Sequence, residues 1–311
     1  MVALPHLQAA DADKPKAETY TDPAKAGQDY VDQGEYIGSK LGGQVIALAN
    51  DKFRLVLHKG GLPGAGWDQS PKVEIEGQRE GDQIAFASKD GSTKATLAHG
   101  TIKGTLADAG KFSLKKTVRK SPTEGAKPPA GAVVLFDGSN SDAWAGGHVD
   151  DRHLLQAGTS SKQKFTNFEL HVEFLLPFKP AGRGQDRGNS GVYLQDRYEV
   201  QVLDSFGLKG LDNECGGIYT KAKPLVNMCF PPLTWQTYDI DYEAAKFDAD
   251  GKKTKNAVAT VKHNGVLIHD HREIDGSTGG GKPETPDGGA IQLQGHGNPV
   301  FYRNIWLVPK A

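Results

Sequence analysis

The residues best suited to chemistry in this chain lie in one alternating stretch, Gly188-Asn189-Ser190-Gly191-Val192-Tyr193-Leu194-Gln195-Asp196-Arg197-Tyr198-Glu199-Val200-Gln201-Val202-Leu203-Asp204. It reads as two short strands joined by a polar turn. Strand side chains alternate between faces, so Tyr198, Val200 and Val202 share one face while Glu199 and Gln201 share the other. A glutamate and a glutamine in mid-strand, backed by an apolar face, suit the floor of a polar cleft of the kind that binds sugars. Two further segments repeat the pattern. Residues 168–174 set Phe168, Leu170, Val172 and Phe174 against Glu169, His171 and Glu173. Residues 291–297 set Ile291 and Leu293 against Gln292, Gln294 and His296. Such alternation marks sheets with one face on a core and one face wet. The plain alternative for each strand is that its polar face meets only solvent. Three strands offering Glu, His and Gln, with little Lys or Ser, favour a shared cleft.

The elements that position these residues are read from the rest of the chain. Its 311 residues suit one large and one small domain, or two of medium size. The net charge of −1 gives no electrostatic footprint for nucleic acid. Gly (39) and Pro (17) are abundant, as expected of a β protein rich in turns. No apolar run approaches the roughly 18 residues needed to span a bilayer. Residues 1–18 read as a disordered tail without an intact secretory signal.

Residues 19–120 read as a small all-β accessory domain. Gln44–Leu48 and Phe53–Leu57 form a hairpin, Gly60–Trp67 a loop, and strands follow at Lys72–Glu76, Gln83–Ala87, Lys94–Leu97 and Phe112–Lys116. The Pro- and Gly-rich stretch 121–131 reads as a linker. Residues 132–311 form the second domain, with further strands at Trp235–Tyr242 and Asn256–His263 and an Asn264-Gly265 hairpin turn. An antiparallel two-sheet sandwich is the expected solution. Cys215 and Cys229 show no zinc spacing and are either a disulfide, worth about 3 kcal/mol in a secreted chain, or two buried thiols. His269-Asp270-His271 offers two imidazoles on one strand face, a metal-like spacing without an evident third ligand.

Taken in order, a set of motifs in residues 132–309 resembles the 3-keto-disaccharide hydrolase family, long catalogued as a domain of unknown function. They are Leu135-Phe136-Asp137-Gly138 with Trp144, Phe168–Phe174, Asn189-Ser190-Gly191-Val192, Tyr198-Glu199-Val200-Gln201 with Asp204, Gly216-Gly217-Ile218-Tyr219, Trp235 with Tyr238, His263-Asn264-Gly265, Gln294-Gly295-His296-Gly297 and Phe301–Ile305. The resemblance implies an all-β concanavalin A-like jelly-roll sandwich with a carbohydrate cleft, here preceded by an extra β-rich domain. It implies an oligosaccharide or glycoside substrate and an extracellular or periplasmic location. With export, the Cys215–Cys229 disulfide becomes the expectation.

The chemistry so implied is elimination from a sugar oxidised at C3. The ketone acidifies the C2 proton, a base removes it, the enolate expels the C1 aglycone, and water completes hydrolysis. This needs a base near C2, an oxyanion stabiliser near O3 and an acid for the leaving oxygen. Glu199 and Glu173 are the candidate bases. His296 is the candidate acid or oxyanion donor, or a ligand should a divalent ion supply the electrophile; no other cofactor is implied. Asn189, Gln201, Gln294 and His171 are the candidate sugar-binding residues. Arg187, in the Gly-rich loop with Arg183 and Asp186, either borders the cleft or is solvated. Two other functions fit the same fold: a non-catalytic carbohydrate-binding module, and a retaining glycosidase, which needs a second carboxylate about 5–5.5 Å from the first.

Overall fold

The computed structural model describes residues 18–310; the tail at residues 1–17 lies outside them. Short alternating runs divided by tight turns give eight antiparallel strands: β1 (Gly34–Ile37), β2 (Leu41–Ala47), β3 (Lys52–Lys59), β4 (Val73–Glu80), β5 (Gln83–Ala87), β6 (Lys94–Ala98), β7 (Thr101–Leu106) and β8 (Gly110–Thr117). Because β1 pairs with both β2 and β8, the sheet closes into a barrel and has no free edge. Val45, Leu55, Leu57, Ile75, Ile102 and Leu114 fill its interior.

The second unit holds β9 (Val133–Phe136), β10 (Trp144–Ala145), β11 (Leu155–Gln156), β12 (Thr159–Ser161), β13 (Asn167–Leu175), β14 (Ser190–Leu194), β15 (Tyr198–Val202), β16 (Trp235–Glu243), β17 (Lys246–Phe247), β18 (Lys253–Lys255), β19 (Ala257–His263), β20 (Val266–Ile274), β21 (Gln292–Leu293) and β22 (Phe301–Lys310). One sheet runs β10-β12-β21-β14-β15. The other runs β11-β22-β13-β16-β19-β20, with β9 also on β22. The two enclose one core, Phe168, Leu170, Val172 and Phe174 on one side and Val192, Leu194, Val200 and Val202 on the other. This is the jelly-roll β-sandwich.

The sheet assignment separates residues that the sequence reading grouped. Glu199 lies on β15 of the five-stranded sheet, whereas Glu173 and His171 lie on β13 of the seven-stranded sheet. On each strand the apolar set faces the common core, so the polar sets point out of opposite sides of the sandwich. Glu173 and His171 therefore do not join Glu199 in a cleft.

They anchor the linker instead. Segment 121–126 lies across the outer face of the seven-stranded sheet. Glu173 Oε1 accepts from the Gly125 amide at 2.5 Å and from Asn304 Nδ2 at 2.8 Å, and Oε2 accepts from Arg303 Nε at 2.7 Å. A bulge in β22 opposite His171–Glu173, with Asn304 at φ 44°, aims that amide at both Glu173 and the Ala126 carbonyl. His171 Nδ1 sits 2.6 Å from Asp239 Oδ1 and its ring stacks on Trp306. Thr123 donates to Asp239, and Arg303 also reaches Glu124. Burial works to raise the pKa of Glu173, but hydrogen bonds from His171, Asn304, the Gly125 amide and Arg303 outweigh it and hold the carboxyl at about 2.

The expected disulfide is absent: Cys215 and Cys229 are free, buried thiols. The two thiols are side-chain partners of each other; Cys215 Sγ also lies 3.2 Å from the Tyr238 hydroxyl, and Cys229 Sγ 3.5 and 3.4 Å from the Leu203 and Phe230 carbonyls. Burial pushes the Cys229 thiol well up.

Replacing Glu173 with Ala removes the carboxylate that joins the linker to the sheet. Glu173→Ala should cost on the order of 3 kcal/mol, seen as a lower urea midpoint, because buried charges lose their partner. It should also speed trypsin cleavage after Lys120. A midpoint within about 0.5 kcal/mol of wild type, with cleavage unchanged, would show that Glu173 does not hold the linker.

Candidate functional site

The β14–β15 hairpin turns at Gln195 and Asp196, with φ of 57° and 58°, and its register sets Tyr193 opposite Glu199 and Gly191 opposite Gln201. On its outer face the Glu199 side chain lies flat across Gly191. A Cβ at position 191 would stand 2.1 Å from Glu199 Oε1, so only glycine leaves room for the carboxyl. Glu199 is 2% exposed. Burial raises its pKa to about 7, opposed in part by the hydrogen bond from Tyr193.

The Tyr193 hydroxyl is 2.9 Å from Glu199 Oε2 and 2.6 Å from the Gly279 carbonyl. One O–H proton serves only one of these acceptors. A protonated Glu199 resolves the conflict: its O–H donates to the tyrosine oxygen, and the tyrosine donates to Gly279. Ionisation of Glu199 returns the two acceptors to competition. Tyr193 can therefore bond either protonation state, and burial is what raises the pKa.

Around the pair stand three amides with their nitrogens already committed. Asn189 Nδ2 and Gln201 Nε2 both donate to Gln185 Oε1, at 3.0 and 2.9 Å, and Gln294 Nε2 donates to the Tyr193 hydroxyl at 3.3 Å. The oxygens of all three, Asn189 Oδ1, Gln201 Oε1 and Gln294 Oε1, are buried without a donor among the described residues. Such acceptors are costly to leave unmade and can receive O–H or N–H groups of water or of a ligand. Thr278 caps the Glu199 amide at 2.9 Å, and the Gly-rich stretch that follows it reaches over Tyr193. Gln292 and Gln294 are partly exposed, and Gly295, His296 and Gly297 are exposed beyond β21.

The sequence-derived candidates thus divide. Glu199, Asn189, Gln201 and Gln294 share one face, with His296 in the exposed loop that follows Gln294. Glu173 and His171 serve the linker. Arg187 is not a cleft residue: its side chain is 7% exposed, Nε donates to Asp204 Oδ2 at 2.7 Å, and its other nitrogens reach the Ala47 carbonyl at 3.3 Å. Nor do His269 and His271 pair. His269 Nε2 lies 2.7 Å from the Gly216 carbonyl, while His271 is exposed beside Asp270 at a bulge, with φ 42°. No group of three or more His, Cys, Asp or Glu among the described residues is placed to hold a metal ion. Tyr193 was missed, although its alternation with Val192 and Leu194 already set it on the Glu199 face. Gln185 was missed for want of any signal, because it lies in an irregular Gly-rich loop.

A separate hollow of about 900 Å³ lies on the barrel wall, floored by Ala85 and Ala87 between Glu76 and Lys94. No buried polar side chain lines it.

A family model described as a 3-keto-alpha-glucoside-1,2-lyase-like domain matches residues 131–308, more than half of the chain. The chain belongs to this family. The 3-keto-alpha-glucoside-1,2-lyase-like domain coincides with the sandwich and leaves the barrel outside it. Among solved structures, a protein of Parabacteroides distasonis ATCC 8503 described as a "putative glycosyl hydrolase" is similar at 36% identity with a TM-score of 0.54, covering 58% of this chain and 85% of its own. Two others of that organism and description are more distant, at 16% and 21% identity with TM-scores of 0.44 and 0.41. They cover 62% and 58% of this chain and 99% of their own. No curated protein matches. The family domain therefore carries the Glu199 face whole, from Asn189 on β14's approach to Gln294 beyond β21.

The raised pKa gives stability a direction with pH. Glu199 goes from 4.5 in its ordinary state to about 7 in the fold. The stability it contributes is fully present below about pH 4.5 and is lost as pH rises to about 7, a change on the order of 3 kcal/mol. Glu199→Gln keeps the Tyr193 contact without the buried charge. It should remove that slope and melt at or above wild type at pH 8. Melting curves from pH 5 to pH 8 that are parallel for the two proteins would show that Glu199 is not held near neutrality.

Proposed function

We propose that the outer face of the five-stranded sheet is the active site of an enzyme that cleaves 3-keto-glycosides. The observation that carries this reading is a buried carboxyl with a pKa of about 7, surrounded by amide oxygens in want of donors. A base working near neutrality is best matched by such a pKa. The donors are the hydroxyls of a sugar, which Asn189, Gln201 and Gln294 would receive. Ionised Glu199 takes the C2 proton, the electron pair moves into the enolate at C3, and its return expels the C1 oxygen as the aglycone. Water adds to the enone to complete hydrolysis. His296, exposed beside Gln294, is assigned to protonate the leaving oxygen. The family description and the 36%-identical glycosyl hydrolase-like neighbour support a carbohydrate substrate. An exported protein acting outside the cytoplasm is part of this reading and comes from the family resemblance. A retaining glycosidase is not favoured, since the second carboxylate offered by the sequence, Glu173, lies on the other sheet.

The test is incubation with 4-nitrophenyl 3-keto-α-glucoside beside its unoxidised parent. Nitrophenol should be released above the uncatalysed rate from the keto sugar alone. Its kcat/KM should climb about tenfold per pH unit up to about pH 7 and then level, as a single base requires. Glu199→Gln should lower kcat by roughly 10²-fold or more, whereas Glu173→Ala should leave the turnover of folded protein near wild type. Equal cleavage of both sugars, or full activity in Glu199→Gln, would overturn the reading.

A further inference from the structure

The barrel lies outside the family domain, yet its contacts lead to the substrate face. Ile46 and Val56, which leave the barrel interior, are buried in the sandwich core, and Phe178 of the sandwich packs into the barrel's apolar cluster. Beyond this apolar docking, the end of β2 and the residue that follows it receive two arginines from one loop. Arg183 donates to the Leu48 carbonyl at 2.7 Å, and Arg187 donates to the Ala47 carbonyl while its Nε holds Asp204. Between these arginines lies a single short turn, Gly184–Asp186, and on it stands Gln185.

Gln185 is the hub of the amide cluster. Its Oε1 accepts from both Asn189 and Gln201, and its Nε2 donates to the Asn213 carbonyl at 2.8 Å. An amide that receives two N–H groups through one oxygen fixes the rotation of both donors, and so fixes where their own oxygens point. Those are the oxygens left without donors. A chain of bonds thus runs from barrel carbonyls through two arginines to the Gln185 turn, and from Gln185 to the orphaned acceptors.

We propose that the barrel is a working part of the substrate cleft: through Arg183 and Arg187 it sets the position of Gln185, which orients the Asn189 and Gln201 amides and so governs substrate affinity. Gln185 and Arg187 are then positioning residues, and the barrel is an affinity determinant added to the family domain. This rests on the assignment of the Glu199 face as the sugar-binding face.

The experiment uses the full chain and 4-nitrophenyl 3-keto-α-glucoside. Gln185→Ala should raise KM about tenfold with kcat within about threefold, the pattern of lost binding that is common to ground and transition states. Arg187→Lys keeps a positive charge for Asp204 but loses the fork to Ala47, and should raise KM in the same direction. The double variant should be no worse in KM than Gln185→Ala alone, because both act through one chain of contacts. KM unmoved by Arg187→Lys, or a double variant whose KM is the product of the single effects, would overturn the proposal and reduce the arginines to domain glue. Should wild type not turn the probe over at all, the functional reading fails, and hydrogen exchange of residues 185–201 decides the positioning. Faster exchange there in Arg187→Lys upholds it, and unchanged exchange overturns it.

Discussion

Two sheets packed face to face share one dry interior, and every strand of both must turn its apolar side to it. The consequence is that their polar sides diverge. In this protein the outer face of one sheet carries Glu199, Gln201, Tyr193 and Gln294, and that of the other carries His171, Glu173 and Asp239. Both faces bury acidic groups and both set hydrogen-bond donors around them, yet they are in opposite electrostatic states. Glu173 is met by a guanidinium, an amide side chain and a backbone N–H, so its charge is satisfied and its pKa falls. Glu199 is met by a single hydroxyl, so burial prevails and its pKa rises. A satisfied carboxylate is fit for holding a linker, and an under-satisfied one is fit for moving a proton.

This divergence is also what separates the legible part of the chain from the rest. Period-two patterning placed Phe168–Phe174 and Tyr198–Val202 in strands and assigned each residue to an inner or outer side, and the structure keeps those sides. What alternation does not encode is which sheet a strand joins. Strands β13 and β15 have the same pattern, and only the pairing of β13 with β16 and β22 removes it from the Glu199 face. The same holds at finer scale for His269 and His271. Their spacing implies one face, but a bulge in the β19–β20 pairing, with His271 at positive φ, turns one ring to the core and one to solvent. Arg187 reads as a cleft residue by its neighbours in sequence. The Ala47 carbonyl that claims it is 140 residues away, in another domain.

The Glu199 environment depends on absences as much as on contacts. Glycine at 191 leaves the carboxyl a floor of backbone on which it lies out of water, and no cation is bonded to it among the described residues. A positive group there would stabilise the anion and pull the pKa back toward, or below, the ordinary range. Tyr193 supplies a donor with a second acceptor in reach, so it supports the neutral acid as readily as the anion. The result is a group whose two protonation states are close in free energy at neutral pH, which is the condition for accepting a proton in one step and returning it in the next.

The junction between barrel and sandwich obeys a related rule. Apolar contacts such as Ile46 in the sandwich core supply attraction but little direction. The Arg187 guanidinium, held within the sandwich by Asp204, supplies direction through its bonds to the Ala47 carbonyl of the barrel. Taking both charges out of water is costly, and the pair is tolerable only because the remaining guanidinium protons meet the Ala47, Pro180 and Gly182 carbonyls. A shift of the barrel by even an ångström or two would leave buried donors unmet. The arginine therefore contributes less to how strongly the two units hold together than to how accurately they do. That accuracy is inherited by the next residues along the chain, Gly188 and Asn189, where the substrate face begins. An added domain docked by apolar surface alone could tolerate slippage; one whose Ala47 carbonyl is bonded to a buried, charge-paired arginine beside the amide cluster cannot slip without disturbing it.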